Sequence, residues 1–239
     1  MIWFTVLVLA LGAGTIGGIV GFGSSIILMP ALVLAVGAKD AVPIMAIAGL
    51  MANLSRVVVW WTAVDWRVAA AFSATAVPMA ALGARTLVSL DAAKIQLALG
   101  LFFLAMIPAR RWLIASGFKV GLGGMALAGA GIGFLSGLVT TVGPINTPFF
   151  LAYGLVKGAY VSTEAAASAA MGLSKAGIFR TFGALPTESL VKGLVVGGAL
   201  TVGSWISKQL MMKIEAENFQ LLMDALLLIA AVIMLAGAF

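Results

Sequence analysis

The chain has 239 residues, of which 63% are hydrophobic and only 9% charged, with a mean hydropathy of +1.18. Such a composition cannot supply the charged surface of a soluble protein, so the chain is read as an integral membrane protein that meets the lipid bilayer directly. The formal charge of +6 does not point to a nucleic-acid partner, because the Lys and Arg fall in short loops between apolar segments and serve orientation in the bilayer.

The N-terminal Met1-Ile2-Trp3-Phe4-Thr5 lacks the basic region and cleavage site of a removable signal peptide. Residues 2–20 are therefore predicted to be the first membrane helix. A short apolar piece follows at 25–37, then helices at 41–62, 66–84 and 92–109. The second half gives a helix at 120–139, a short piece at 145–156, and helices at 161–182, 188–206 and 217–238. The short pieces cover about 18 to 20 Å of helix, too little for roughly 30 Å of hydrocarbon. They read as re-entrant half-helices, each starting at a Gly, Ser or Pro break.

The two halves echo each other. Gly17-Gly18-Ile19-Val20-Gly21-Phe22-Gly23-Ser24-Ser25, running on to Pro30, has a counterpart in Ser136-Gly137-Leu138-Val139-Thr140-Thr141-Val142-Gly143-Pro144, running on to Pro148. Asn53-Leu54-Ser55-Arg56 is answered by Gly172-Leu173-Ser174-Lys175 at a separation of 119 residues (174 − 55), half the chain. This predicts an all-α polytopic protein made of two transmembrane repeats, 1–115 and 116–239, in one membrane domain. Each repeat holds four spanning helices plus a broken half-helix, the outline of a secondary transporter.

Counting four crossings per half makes the repeats parallel and divides the loop cations evenly. Counting five makes them inverted, with Arg67, Arg110, Arg111, Lys119, Lys157, Lys208 and Lys213 inside against Lys39, Arg85, Lys94, Arg180 and Lys192 outside. The inverted arrangement is preferred because it puts the dense Arg110-Arg111-Lys119 cluster in the cytoplasm. Trp60, Trp61, Trp66, Trp112 and Trp205 fall at helix ends, as an aromatic belt requires.

The paired glycine-rich breaks with Pro30 and Pro148, the Val64-Asp65-Trp66 step and the small-residue pair Gly83-Ala84 resemble the TauE/SafE family of sulfite exporters. The resemblance covers essentially the full chain. It implies a multi-pass transporter of the bacterial inner membrane for sulfite or other small sulfur-containing or organic anions. The chain departs from the family's usual run of glycines, with Gly23-Ser24-Ser25 in one copy and Thr140-Thr141-Val142-Gly143-Pro144 in the other; this bears on the substrate more than on the fold.

An oxyanion that leaves water needs hydrogen bonds and positive potential in return. Helix N-termini supply both, and glycine or serine at a break lets a ligand approach the backbone. The predicted substrate site therefore comprises Gly21, Gly23, Ser24 and Ser25 from the first break and Thr140, Thr141, Gly143 and Asn146 from the second. Arg56 and Lys175 supply charge, with Asn53 on the Arg56 face of its helix. Both cations lie inside apolar segments with few carboxylates nearby in sequence, and their recurrence favours a role in the site over snorkelling to the interface. Asp224 and Glu164 are candidate proton carriers, but both sit near predicted helix ends, so interfacial solvation is the preferred reading. Pro78 and the small-residue spacings, such as Gly117-Gly121 and the Ala165 to Ala170 face, read as tolerated kink and close helix packing.

Cysteine and histidine are absent, which removes thiols, the commonest metal ligand and the commonest general base. No cofactor, metal or catalytic residue is expected, and an intramembrane enzyme is set aside. A passive anion channel remains the alternative, since it shares the cations and glycine breaks. The expected partners are a small anion, lipid, a coupling proton or sodium ion, and at most a second copy of the chain. Export of an anion needs no dedicated acid, because the inside-negative potential drives it outward by about 2.3 kcal/mol per charge per 100 mV.

Overall fold

The computed structural model describes residues 2–87, 119–138, 143–181 and 185–211, with isolated positions beyond. Among the described residues all regular structure is helical: α1 (Ile2–Val20), α2 (Ser24–Val36), α3 (Ala38–Val59), α4 (Trp66–Leu87), α5 (Leu122–Leu138), α6 (Gly143–Tyr153), α7 (Lys157–Thr181) and α8 (Thr187–Met211), with a 3-10 turn at Trp61–Ala63. The predicted boundaries meet these within four residues, except that α8 runs on to Met211. The predicted helices 92–109 and 217–238 lie outside the described residues.

Length and apolar composition make Ile2–Val20, Trp66–Thr86 and Thr187–Leu210 able to cross a membrane. Large apolar side chains face outward freely along several helices; Phe4 of α1, Leu34 of α2 and Leu127 of α5 are each at least 75% exposed, as hydrocarbon surroundings permit. α2 and α6, with 13 and 11 residues, reach about 20 and 16 Å and stop short of a full span.

The chain turns between α1 and α2 in three residues because Gly21 (φ 87°) and Gly23 (φ 102°) adopt left-handed backbone closed to most side chains. α4 starts at Trp66 because Asp65 caps it: its Oδ1 accepts from the backbone N–H of Arg67 (3.0 Å) and Val68 (3.1 Å). The Asp65 N–H in turn donates to Thr163 Oγ1 at 2.9 Å, tying this corner to α7. Trp61 and Trp66 stack edge to face at 4.9 Å across it.

Two seams bring backbones into contact. Along α5, Gly129, Gly133 and Gly137 lie against Phe72, Ala76 and Ala80 of α4, and Gly83 of α4 returns the contact to Phe134. Along α1, Gly14 and Gly18 lie against Leu200 and Ser204 of α8, while Gly203 meets Leu11 and Gly14. Glycine at four-residue spacing is how membrane helices approach closely when lipid removes the hydrophobic drive to associate. Each seam pairs a helix next to a break with one from the other half of the chain. The buried side chains form one cluster around Phe22, Phe72, Phe150 and Tyr160 and another around Val6, Leu28, Ile44 and Leu200.

A Cβ on Gly133 would collide with the Ala76 carbonyl, whereas one on Gly131 meets nothing within 4 Å. Gly133→Leu is therefore expected to abolish the monodisperse folded species in detergent, and Gly131→Leu to preserve it; equal behaviour of the two in size-exclusion chromatography would refute the seam. Asp65→Ala removes a capping side chain, and thermal unfolding should register a loss of about 1 kcal/mol.

Candidate functional site

The first break stops the helical ladder at Gly21, whose N–H still donates to the Gly17 carbonyl at 2.9 Å but whose own carbonyl lies past the end of α1. Arg56, near the end of α3, fills that gap from a position only 6% exposed. Its Nη1 donates to the carbonyl of Gly21 and, at 3.5 Å, to that of Gly17. Its Nη2 donates to Asn53 Oδ1 and its Nε to the Ala52 carbonyl at 3.4 Å. A cation at a helix C-terminus is favoured by the local dipole. The guanidinium thus turns into the protein and does not snorkel.

Opposite it stands Glu164. α7 begins at Lys157, four residues before the predicted start at 161, so Glu164 lies about two turns inside the helix and is 1% exposed. The expectation of interfacial solvation is corrected accordingly. Glu164 Oε2 lies 3.6 Å from Arg56 Nη1. Its Oε1 accepts from Asn146 Nδ2 at 2.9 Å and from Ser168 Oγ at 2.6 Å, and Asn146 Nδ2 also reaches Ser168 Oγ at 3.2 Å. Asn146 comes from the first turn of α6, so the second break contributes to the same cluster. Glu164 Oε2 and Asn146 Oδ1 are buried with no hydrogen-bond partner, a costly state for acceptors away from water.

The two breaks touch. A Cβ on Gly143, at the start of α6, would collide with Phe22 of the first break, and one on Gly21 would come within 2.7 Å of the Tyr160 hydroxyl. That hydroxyl donates to the Val20 carbonyl at 3.1 Å and lies 2.6 Å from Thr147 Oγ1, which donates to the Gly143 carbonyl at 2.8 Å. Tyr160 and Thr147 are both fully buried.

Lys175 takes the corresponding place in the second half. Its Nζ donates to Ser136 Oγ at 3.0 Å and to the Ser136 carbonyl at 3.2 Å, near the end of α5. Arg56 and Lys175 each reach a carbonyl 39 residues upstream, Gly17 and Ser136.

Of the predicted site residues, Gly21, Asn53, Arg56, Gly143 and Asn146 gather at the meeting of the breaks. Gly23 caps α2 without a side chain, Ser24 is buried against Gly17, and Ser25 is half-buried just beyond. Thr140 and Thr141 lie outside the described residues. Lys175 stands apart, eleven residues past Glu164 on α7, about 16 Å along the helix axis. The sequence reading missed Tyr160, Thr147, Ser168 and Ser136. Tyr160, Glu164 and Ser168 recur every four residues on α7, a polar stripe in an otherwise small-residue helix that periodicity alone can reveal.

The cluster gathers a cation, a carboxylate, an amide and a hydroxyl among buried side chains. The guanidinium is fixed among backbone carbonyls, and among the described residues the carboxylate that faces it is Glu164. Among the described residues no group of three or more acids or other metal-ligating side chains stands together.

No match was found among curated proteins or among solved structures. The family model described as "Sulfite exporter TauE/SafE" matches residues 6–234, a span that contains every helix above except the first residues of α1. A buried cation at a glycine-broken helix is thus found in a chain that belongs to the TauE/SafE sulfite exporter family, a family of membrane transporters.

Proposed function

We propose that this protein is a secondary transporter that exports sulfite, or a small sulfur-containing or organic oxyanion like it, across the bacterial inner membrane by alternating access. The observation that carries this reading is the Arg56 guanidinium, held inside the protein at the end of a broken helix and answered by one carboxylate.

The anion would lie between the breaks. There it accepts hydrogen bonds from Arg56 and from the opening amides of α2, which no side chain caps. A helix N-terminus with free N–H groups and a partial positive charge is suited to an oxyanion. Asn53 keeps the guanidinium oriented, and Lys175 provides positive potential further along the path. The two halves would act as inverted repeats. The common 39-residue offset of the two cation contacts supports two repeats, and the inverted sense rests on the cytoplasmic placement of the Arg110-Arg111-Lys119 cluster.

A carrier is favoured over a passive channel because the breaks are packed on each other, Gly143 against Phe22 and Gly21 against Tyr160. An anion passes such a closure only when the halves shift, and a continuously lined pore has no need of it.

In proteoliposomes loaded with labelled sulfite, efflux should saturate and be stimulated by sulfite on the opposite side. Linear flux without that stimulation would favour the channel. Arg56→Gln and Lys175→Gln should each lower efflux at least about tenfold, the order expected for loss of one charge-assisted hydrogen bond, while both variants remain in the membrane. Normal efflux in both would remove these residues from the site.

A further inference from the structure

The transport reading gives Glu164 no task, yet its carboxylate holds the charge an anion must take. Arg56 is the ionisable group that α3 brings to it, Asn146 the polar group from α6, and Tyr160 and Ser168 its neighbours on α7. α1 and α5 contain no Asp, Glu, Lys or Arg, and α4 carries Arg67 and Arg85 only at its ends.

The two oxygens of this carboxylate are not equivalent. Oε1 is held by Asn146 and Ser168, whereas Oε2 faces Arg56 at 3.6 Å without a hydrogen bond. A proton placed on Oε2 leaves both hydrogen bonds to Oε1 in place and cancels the charge that competes for Arg56.

The charge balance then dictates the partner of the anion. Guanidinium and carboxylate together carry no net charge. An anion entering alone would leave the buried cluster with one negative charge, which a membrane interior penalises heavily. An anion entering with one proton restores zero: the guanidinium faces the anion and the carboxyl is neutral. A sodium ion does not serve equally well, because Oε2 lies beside a guanidinium that repels a metal cation, whereas a proton forms an O–H bond and leaves no charge.

We infer, resting on the anion-carrier reading above, that Glu164 is a proton-coupling residue: it takes up one proton from water at Oε2 as the anion binds, so that anion and proton occupy the site together and leave together. Coupled movement of a monovalent anion with one proton carries no net charge, so the membrane potential does not act on it; a pH gradient acid outside opposes export, which then runs on the anion's own outward concentration gradient.

The test adds sulfite to the purified full-length protein in weakly buffered detergent containing a pH-indicator dye, with a protein-free sulfite blank subtracted. Calorimetry under the same conditions counts the sulfite bound. Wild-type protein should take up about one proton per sulfite, and its affinity, corrected for the titration of sulfite itself, should fall tenfold per pH unit over the range in which that proton is taken up. Glu164→Gln should take up no proton and lose that pH dependence. If wild-type protein binds sulfite with no proton uptake, or Glu164→Gln keeps the wild-type uptake, the coupling role is overturned and the anion site stands. If wild-type protein binds no sulfite, the carrier reading fails first and takes this inference with it. Should Glu164→Gln not yield folded protein, the wild-type proton count decides alone.

Discussion

A guanidinium has been taken out of water, and the surrounding structure answers that one fact. Placing Arg56 inside a membrane helix costs at least about 2.5 kcal/mol on the gentlest scale, and every nearby element returns part of it. α1 ends early, so that the carbonyl of Gly21 accepts from Nη1, while that of Gly17 accepts from Nη1 as well as from the Gly21 N–H. α3 contributes Asn53 and Ala52 from the preceding turn. α7 contributes the opposing charge, and α6 holds that charge still through Asn146. The glycine break is therefore more than a bend: a helix continued through it would consume the Gly21 carbonyl that the cation uses. Breaking such a pair from one side leaves an uncompensated charge, a loss of about 3 to 5 kcal/mol in soluble proteins.

Most of the helix plan was legible in the sequence, because in an apolar chain the interruptions carry the information. Gly21 and Gly23 permit backbone that other residues resist, and Asp65 stops one helix and starts the next; such local rules leave local marks. Lys175 and Arg56 stood out because charge is scarce here. What the sequence hid was who meets whom. Glu164 was read as interfacial because a helix start was placed four residues late, and that start, Lys157, follows no distinctive cap. Its partner Arg56 is in the other half of the chain, so no spacing rule links them. The pairing of Lys175 with Ser136 was equally silent, since serine in an apolar helix is usually a packing residue.

The seams explain how a bundle with such sparse polar contacts holds together. Where α4 meets α5 and α1 meets α8, glycines let one backbone rest on another, and dispersion over that smooth contact replaces the hydrophobic drive that lipid abolishes. The crosswise pattern has a further effect. The helices that end at the breaks are braced by partners from the opposite half, so neither half can move without carrying a helix of the other. Polar side chains are consequently free to collect at the meeting of the breaks.

One hydroxyl bridges that meeting point. Tyr160 donates to the last carbonyl of α1 and lies within hydrogen-bond distance of Thr147 in the first turns of α6. In the carrier proposed above it would act as a strut between two hinges, and a strut forbids independent motion: one hinge cannot swing while the other stays fixed unless a bond to this ring is given up. A bond of that kind is worth about 1 kcal/mol net, little more than thermal energy. The strut is therefore a latch of low strength, able to synchronise the hinges while both are at rest and to release within ordinary fluctuations. A protein that moves cargo repeatedly needs that balance, since a stiffer link would trap one posture and none at all would let both sides gape together.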